Sequence, residues 1–396
     1  MNERRLRDAL HRTRPPQEAA SRERARAVAL AAYDGAVARP RRRRLRVVVP
    51  IASALTLVLV AGAVAATPPG GAVTDWVRDL VGRSDSTPRP SPALSRLPAP
   101  GRLLVTGPGG AWLVHADGSR RRLGPYAEAT WSPKGLFVGA ARGRQLVALD
   151  PRGRVRWALS RPDLVHDPRW APSGYRVAYR SGSGLRVVGG DGSADRLIAA
   201  RIRAIAPAWR PAQEANELAY VGAGGHVVVV EVDSGRRLAS FRPRVTPKQL
   251  EWSPAGRRLL ITGDRSIVLA DIAGSMRTAI VAPAGLRHVD ARFSPDGRQI
   301  AVLRRSRSTP RHEVLVVTTA GGRPRRLFAA TGPMRSLTWS PGGRLVLADW
   351  AGADQWLFLP IDPQGRASAV AGIAGQFDVS RARPRGTVDV RGWCCP

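Results

Sequence analysis

One five-residue pattern recurs along the chain: an aromatic, a small residue, proline, any residue, glycine. It reads WSPKG at 131–135, WAPSG at 170–174, WSPAG at 252–256, FSPDG at 293–297 and WSPGG at 339–343, with a looser WRP at 209–211. Successive anchor aromatics are 39, 39, 43, 41 and 46 residues apart. A period near 40 filled with short apolar runs and Gly/Pro turns fits a ring of small sheets, because one such sheet cannot bury both faces until it stacks against another. In each unit the aromatic ends an inner strand and proline presets the φ of the turn that follows. An apolar strand, a Gly/Arg/Asp turn and a second apolar strand complete the unit.

Seven such strand pairs fall between residues 103 and 360. The first has no aromatic strand before it, and Phe377, 38 residues beyond Trp339, follows the last. The expectation is that residues 376–380, QFDVS, join the first blade and zip the two chain ends together, removing open sheet edges. The predicted fold class is therefore all-β, a seven-bladed β-propeller preceded by a single transmembrane helix and a short helical N-terminal segment. The irregular unit at Trp209 and the weak last strand leave six or eight blades as alternatives. The aromatics are read as wedges between blades and not as a sugar-stacking platform, since large aromatics at a fixed strand position pack.

The repeated [WF]-S-P-x-G-x-x-[IL]-A unit resembles the WD40-like, TolB-type propeller repeats of bacterial periplasmic and surface proteins, and the likeness covers residues 102–382. It implies the fold and leaves function open, because propellers host binding proteins, scaffolds and enzymes alike.

Ahead of the repeats, residues 47–66 (VVVPIASALTLVLVAGAVAA) carry no charge and follow 39-RPRRRRLR-46. At ~1.5 Å per residue this run spans a ~30 Å hydrocarbon layer, and the arginines hold its N-terminus in the cytoplasm. The predicted organisation is a basic cytoplasmic segment at 1–46, a transmembrane helix at 47–66, a juxtamembrane helix and Pro/Ser-rich linker at 67–101, the propeller at 102–382 and a tail at 383–396. A cleaved signal peptide is the competing reading; the 46 residues before the run exceed an ordinary n-region. Localisation is expected at the cell membrane with the propeller outside the cytoplasm.

The net charge of +33 comes from 63 basic residues, of which only Lys134 and Lys248 are lysine. No helix-turn-helix, zinc-finger or RNP-like pattern accompanies it, so nucleic acid is not the expected partner. The runs 120–122, 304–307 and 323–326 read as solvated surface, or as contacts to anionic wall polymer or lipid headgroups. Cys394 and Cys395 are the two cysteines; a disulfide between neighbours is strained, so they are read as tail thiols, or as oxidised or bridged to another molecule in an oxidising compartment.

Chemistry is sparse. No Gly-x-Ser-x-Gly elbow is present, and no two of the six histidines stand at metal-ligand spacing, so no cofactor and no metal are expected. Aligning the units on their aromatics puts Glu128, Asp167, Gln249 and Asp290 at one repeat position, with His166 and His288 beside it. Equivalent positions in a ring converge on one mouth of the central channel, where a cation or a basic peptide could bind. The expected function is a non-enzymatic, membrane-anchored module binding a protein or a cell-envelope component. A signalling protein whose N-terminal tail restrains a cytoplasmic regulator, in the manner of an anti-sigma factor, is the first alternative, and an enzyme using the channel rim the second.

Overall fold

A computed structural model describes residues 93–211, 215–377 and 387–395. The expectations for residues 1–92 (basic segment, apolar span, juxtamembrane helix) fall outside the described residues. Among the described residues no helix is long and apolar enough to cross a membrane.

The described strands form seven four-stranded antiparallel sheets, so the blade number is seven. The innermost strands are Glu128–Trp131 in blade 2, Val165–Trp170 in blade 3, Ala208–Trp209 in blade 4, Gln249–Trp252 in blade 5, Leu286–Phe293 in blade 6 and Leu337–Trp339 in blade 7. Each touches the next around the circle, and Asp389–Cys394 in blade 1 touches both blade 7 and blade 2, which closes the ring. Instead of one core there are seven apolar clusters, each shared by two adjoining blades. That is why the middle strands read as unbroken apolar runs: both of their faces are covered, as along Gln299–Ser306 and Arg311–Thr318. The outer strands have one wet face and alternate, as in Val155–Ser160.

Each letter of the repeat has a physical task. The motif serine accepts, through Oγ, the backbone N–H five residues on: Phe137 to Ser132 at 2.8 Å, Arg258 to Ser253 at 3.0 Å, Gln299 to Ser294 at 2.9 Å and Leu345 to Ser340 at 3.1 Å. The motif glycine donates its N–H to the same serine's carbonyl and takes a φ of +66° at Gly256 and +70° at Gly297, where a Cβ would be strained. The aromatics are wedges, as expected. The indole N–H of Trp209 donates to Arg169 O of the preceding blade at 2.8 Å, and that of Trp339 to Arg292 O at 3.0 Å.

The closing strand differs from the expectation. Strand Asp389–Cys394, not residues 376–380, pairs with Arg102–Gly107, with Trp393 opposite Leu103. The propeller therefore extends through the stretch expected to be a tail, and Cys394, joined to Cys395 in a disulfide, lies within it. Trp393 is the seventh wedge: it stacks edge-on against Phe358 of blade 7 and donates to Pro100 O at 3.1 Å. Phe377 instead follows a one-turn helix, Ile373–Gln376, and is buried between Trp112 and Trp356, sealing the same seam farther out. The linker contributes too, since Leu94 and Leu97 are buried in the cluster shared by blades 7 and 1.

Because successive strands alternate in direction, one face of the ring gathers the starts of the innermost strands and the hairpins between second and third strands. We call it the entry face. The opposite, turn face gathers the aromatic turns and the hairpins between third and fourth strands.

Candidate functional site

The repeat position shared by Glu128, Asp167, Gln249 and Asp290 lies three residues before each anchor, just inside the entry face. In the later blades it fastens one blade to the next. Gln249 accepts the Ala291 N–H through Oε1 at 3.3 Å and donates Nε2–H to Ala291 O at 2.8 Å. Asp290 accepts the Leu337 N–H at 2.9 Å. Both target N–H groups stand two residues before the next anchor. Gln249 and Asp290 are thus engaged with backbone and not free to bind a ligand, and Asp290 is buried. His288 is also buried, and neither ring nitrogen has a hydrogen-bond partner. Burial first, and Arg304 second, lower its pKa to about 4 against the opposing pull of Asp264. It does not line the mouth.

Blades 3 and 4 cannot take this fastening, and the reason is covalent. Two residues before their anchors stand Pro168 and Pro207, which have no N–H to donate. Glu128 of blade 2 therefore reaches one residue further back: its Oε2 accepts the Asp167 N–H at 2.5 Å, while Oε1 meets His166 Nδ1 at 2.8 Å. Asp167 takes a φ of +50°, in the left-handed region that aspartate tolerates better than most residues. The pairing of its strand with Arg176–Ser181 slips between His166 and Arg169. With no N–H to take in blade 4, the Asp167 carboxylate turns within its own blade and accepts Arg180 Nε–H at 2.6 Å. The outcome is a partly exposed group of Glu128, His166, Asp167 and Arg180 that is tied back to blade 2 but not on to blade 4, with 41% of the His166 side chain accessible.

Beside this group stands Arg169, the residue before the blade 3 anchor. Its guanidinium donates only to Pro168 O, at 3.0 Å, and no carboxylate lies within ion-pair distance. Burial lowers its pKa; Asp167 and Glu128 act against that shift, and the cations Arg292 and Arg391 from other blades reinforce it. Those two arginines are matched: Arg292 by Asp290 at 3.1 Å and Glu251 at 3.5 Å, Arg391 by Asp389 at 3.5 Å and by Thr106 Oγ1 at 2.7 Å. Glu251 also accepts the Phe293 N–H, at 3.1 Å. Protein surrounds it in the channel, so its solvation is poor although 24% of its side chain is reachable, and burial raises its pKa to about 7 against the pull of Arg292.

The structure thus brings Glu128, His166 and Asp167 together and assigns Gln249, His288 and Asp290 to the framework. Sequence reasoning missed Arg169, Arg180, Glu251 and Arg292. A signal for three of them was present: the residue before the anchor is charged in Arg169, Glu251 and Arg292 and uncharged at Thr130, Ala208, Thr338 and Gly392. Chemically, the blade 2–3 mouth offers one unmatched guanidinium for an anionic group, flanked by two carboxylates for a cationic or hydrogen-bond-donating one. Among the described residues no group of His, Cys, Asp and Glu side chains is arranged to hold a metal. A groove of about 440 Å³ between the outer parts of blades 3 and 4 is floored by Tyr220 and Val228, and the charges at its edge, Arg196 and Asp233, already pair with each other at 3.1 Å.

No family model matches the chain, and no curated protein matches it. Among solved structures it is similar to the hydrazine synthase of Kuenenia stuttgartiensis, with 17% identity over 71% of this chain and 81% of that one and a TM-score of 0.49. It is also similar to the Myceliophteria thermophila Cps50 (Swd1) β-propeller domain, with 12% identity over 62% of this chain and 85% of that one and a TM-score of 0.48. Neither likeness assigns an activity, and the blade number rests on the seven sheets themselves.

Proposed function

We propose that this chain is a non-enzymatic, single-pass membrane protein of the WD40-like, TolB-type kind, whose propeller lies outside the cytoplasm and binds a protein or cell-envelope partner at the blade 2–3 mouth of its channel. The reading is carried by one observation: Arg169 is an unmatched guanidinium on the channel wall, in the blade whose Asp167 finds no N–H at Pro207 to fasten. A charge kept poorly solvated and unpaired is costly unless a ligand meets it. The partner group that fits is a carboxylate or phosphate against Arg169, with a donor or cation reaching Glu128 and Asp167. The uncharged run at 47–66 and the arginines before it support the anchor and its orientation.

The test is to crosslink the full-length protein in intact cells, capture it under denaturing conditions and map the joined peptides by mass spectrometry. A partner joined near residues 128–180, and lost in an Arg169→Glu variant that is made and folded normally, is the expected result. A cytoplasmic regulator joined to residues 1–46 with nothing at the mouth would replace this reading with the signalling one.

A further inference from the structure

The two faces of the ring differ in charge, and their turns explain part of the difference. On the turn face Asp117, Asp150, Asp191, Asp271 and Asp362 each accept a backbone N–H within the hairpin between third and fourth strands. Turn chemistry therefore spreads carboxylates over that face. On the entry face of blades 4–6 the loops and strand ends carry Arg203, Arg242, Arg244, Arg265, Arg305 and Arg307, all exposed. None of the six has a carboxylate within ion-pair distance. The one carboxylate in these loops, Asp264, is held by Lys248 at 2.5 Å. Between the arginines, Val281 at the end of the outer strand of blade 5 is 57% exposed, Pro283 and Ala284 in the connection to blade 6 are exposed beside it, and Val289 follows at 37%.

A cluster of arginines by itself is ordinary solvated surface. This sector differs in two respects, the near absence of carboxylates and the exposed apolar residues at its centre. A soluble polyanion would be satisfied by the arginines and would gain nothing from Val281. An anionic bilayer uses both, since headgroup phosphates meet the guanidiniums while exposed apolar side chains enter the headgroup layer. We propose that the entry face of blades 4–6 docks on an anionic lipid surface, with the arginines on the headgroups and Val281 inserted between them. The inference goes beyond the proposed function, because it uses a different set of residues and needs no ligand at Arg169.

Hydrogen exchange on the full-length chain in nanodiscs of phosphatidylcholine, alone or mixed with phosphatidylglycerol, tests it. The expected result is slower exchange around residues 242–248 and 281–287 only in the anionic discs, fading as salt is raised. Each arginine neutralised among the six should weaken the contact roughly fivefold and each reversed more than that, so Arg242→Glu with Arg244→Glu should abolish the protection. Lys134→Glu with Arg257→Glu, on the turn face, should leave it intact. Val281→Ser with Ala284→Ser should reduce it while the melting temperature holds. Equal exchange in both discs would overturn the proposal. So would the same protection produced by soluble polyphosphate with zwitterionic discs and indifferent to Val281→Ser, which would reassign the sector to a soluble polyanion. Arg169→Glu leaves the protection unchanged, so failure here and failure of the mouth as a partner site are told apart.

Discussion

The junction of blades 5 and 6 and the junction of blades 2 and 3 put polar side chains at the same repeat position to opposite ends. At the first, Gln249 and Glu251 bond the backbone of blade 6 and Asp290 carries the chain of contacts on to blade 7, with Arg292 matched between two carboxylates. At the second, Pro168 and Pro207 withhold the N–H groups that would be bonded, so Glu128 shifts by one residue, Asp167 turns aside and Arg169 is left unmatched. Two missing backbone donors convert a structural position into a candidate binding position. A ring of near-identical blades can thus place a site at one junction without disturbing the others.

The largest effect is expected from breaking the fastened junction. Asp290→Ala leaves the Leu337 N–H and part of the Arg292 charge uncompensated in a buried setting, at a cost of about 3–4 kcal/mol, read as a lower midpoint in urea unfolding. Asp167→Gly, at the matching position, removes only a partly exposed ion pair and relaxes a positive φ, and should cost under ~1 kcal/mol. Equal losses at the two positions would erase the distinction between the junctions.

The next effect is on pH dependence, and it belongs to the fastened junction. The His288 pKa falls from an ordinary 6.5 to about 4 in the fold, so the unfolded chain takes up a proton first and stability drops as pH falls from 6.5 toward 4. The Glu251 pKa rises from an ordinary 4.5 to about 7. Here the folded chain holds its proton longer, and stability drops as pH rises from 4.5 toward 7. His288→Leu should flatten the acid limb and Glu251→Gln the neutral limb of unfolding free energy against pH. A wild-type curve unaffected by either substitution would contradict the burial assigned to these groups.

Smaller in stability, and sharper for the account, is Pro207→Ala. It restores the N–H that blade 4 lacks, so Asp167 should release Arg180 and fasten blade 3 to blade 4, with a gain of roughly 0.5–1 kcal/mol and loss of partner capture. A crystal structure of the variant with Asp167 still on Arg180 would disprove the proline argument. Arg169→Gln should shift the melting temperature least, because its guanidinium is unmatched, whereas Arg169→Glu adds a carboxylate beside Glu128 and Asp167 and should lower it modestly; both should remove capture.

Much of this was legible in the sequence, and the misses have causes. The aromatic period gave the blades, and Pro and Gly in the turn gave the strand starts, because those residues act locally. The closing strand departs from the sequence expectation because Phe377 sits at the repeat spacing, whereas Trp393 lies 54 residues beyond Trp339 and carries no Ser-Pro-x-Gly turn after it. Alignment on the anchors found the register of Glu128, Asp167, Gln249 and Asp290, but side-chain identity alone does not tell a fastening from a free group. The deciding residues, Pro168 and Pro207, act through the backbone donors they remove, which residue type at the aligned position does not display. Arg169 escaped notice because a single arginine among so many carries no signal until its lack of a partner is seen.

The most direct measurement is photo-crosslinking in intact cells from two positions of the full-length chain, 166 and 249, which stand four and three residues before their anchors in the ring. The account predicts a discrete partner captured from position 166, lost on Arg169→Glu, and none captured from position 249. Equal capture from both, or capture from 166 that survives Arg169→Glu, would contradict it.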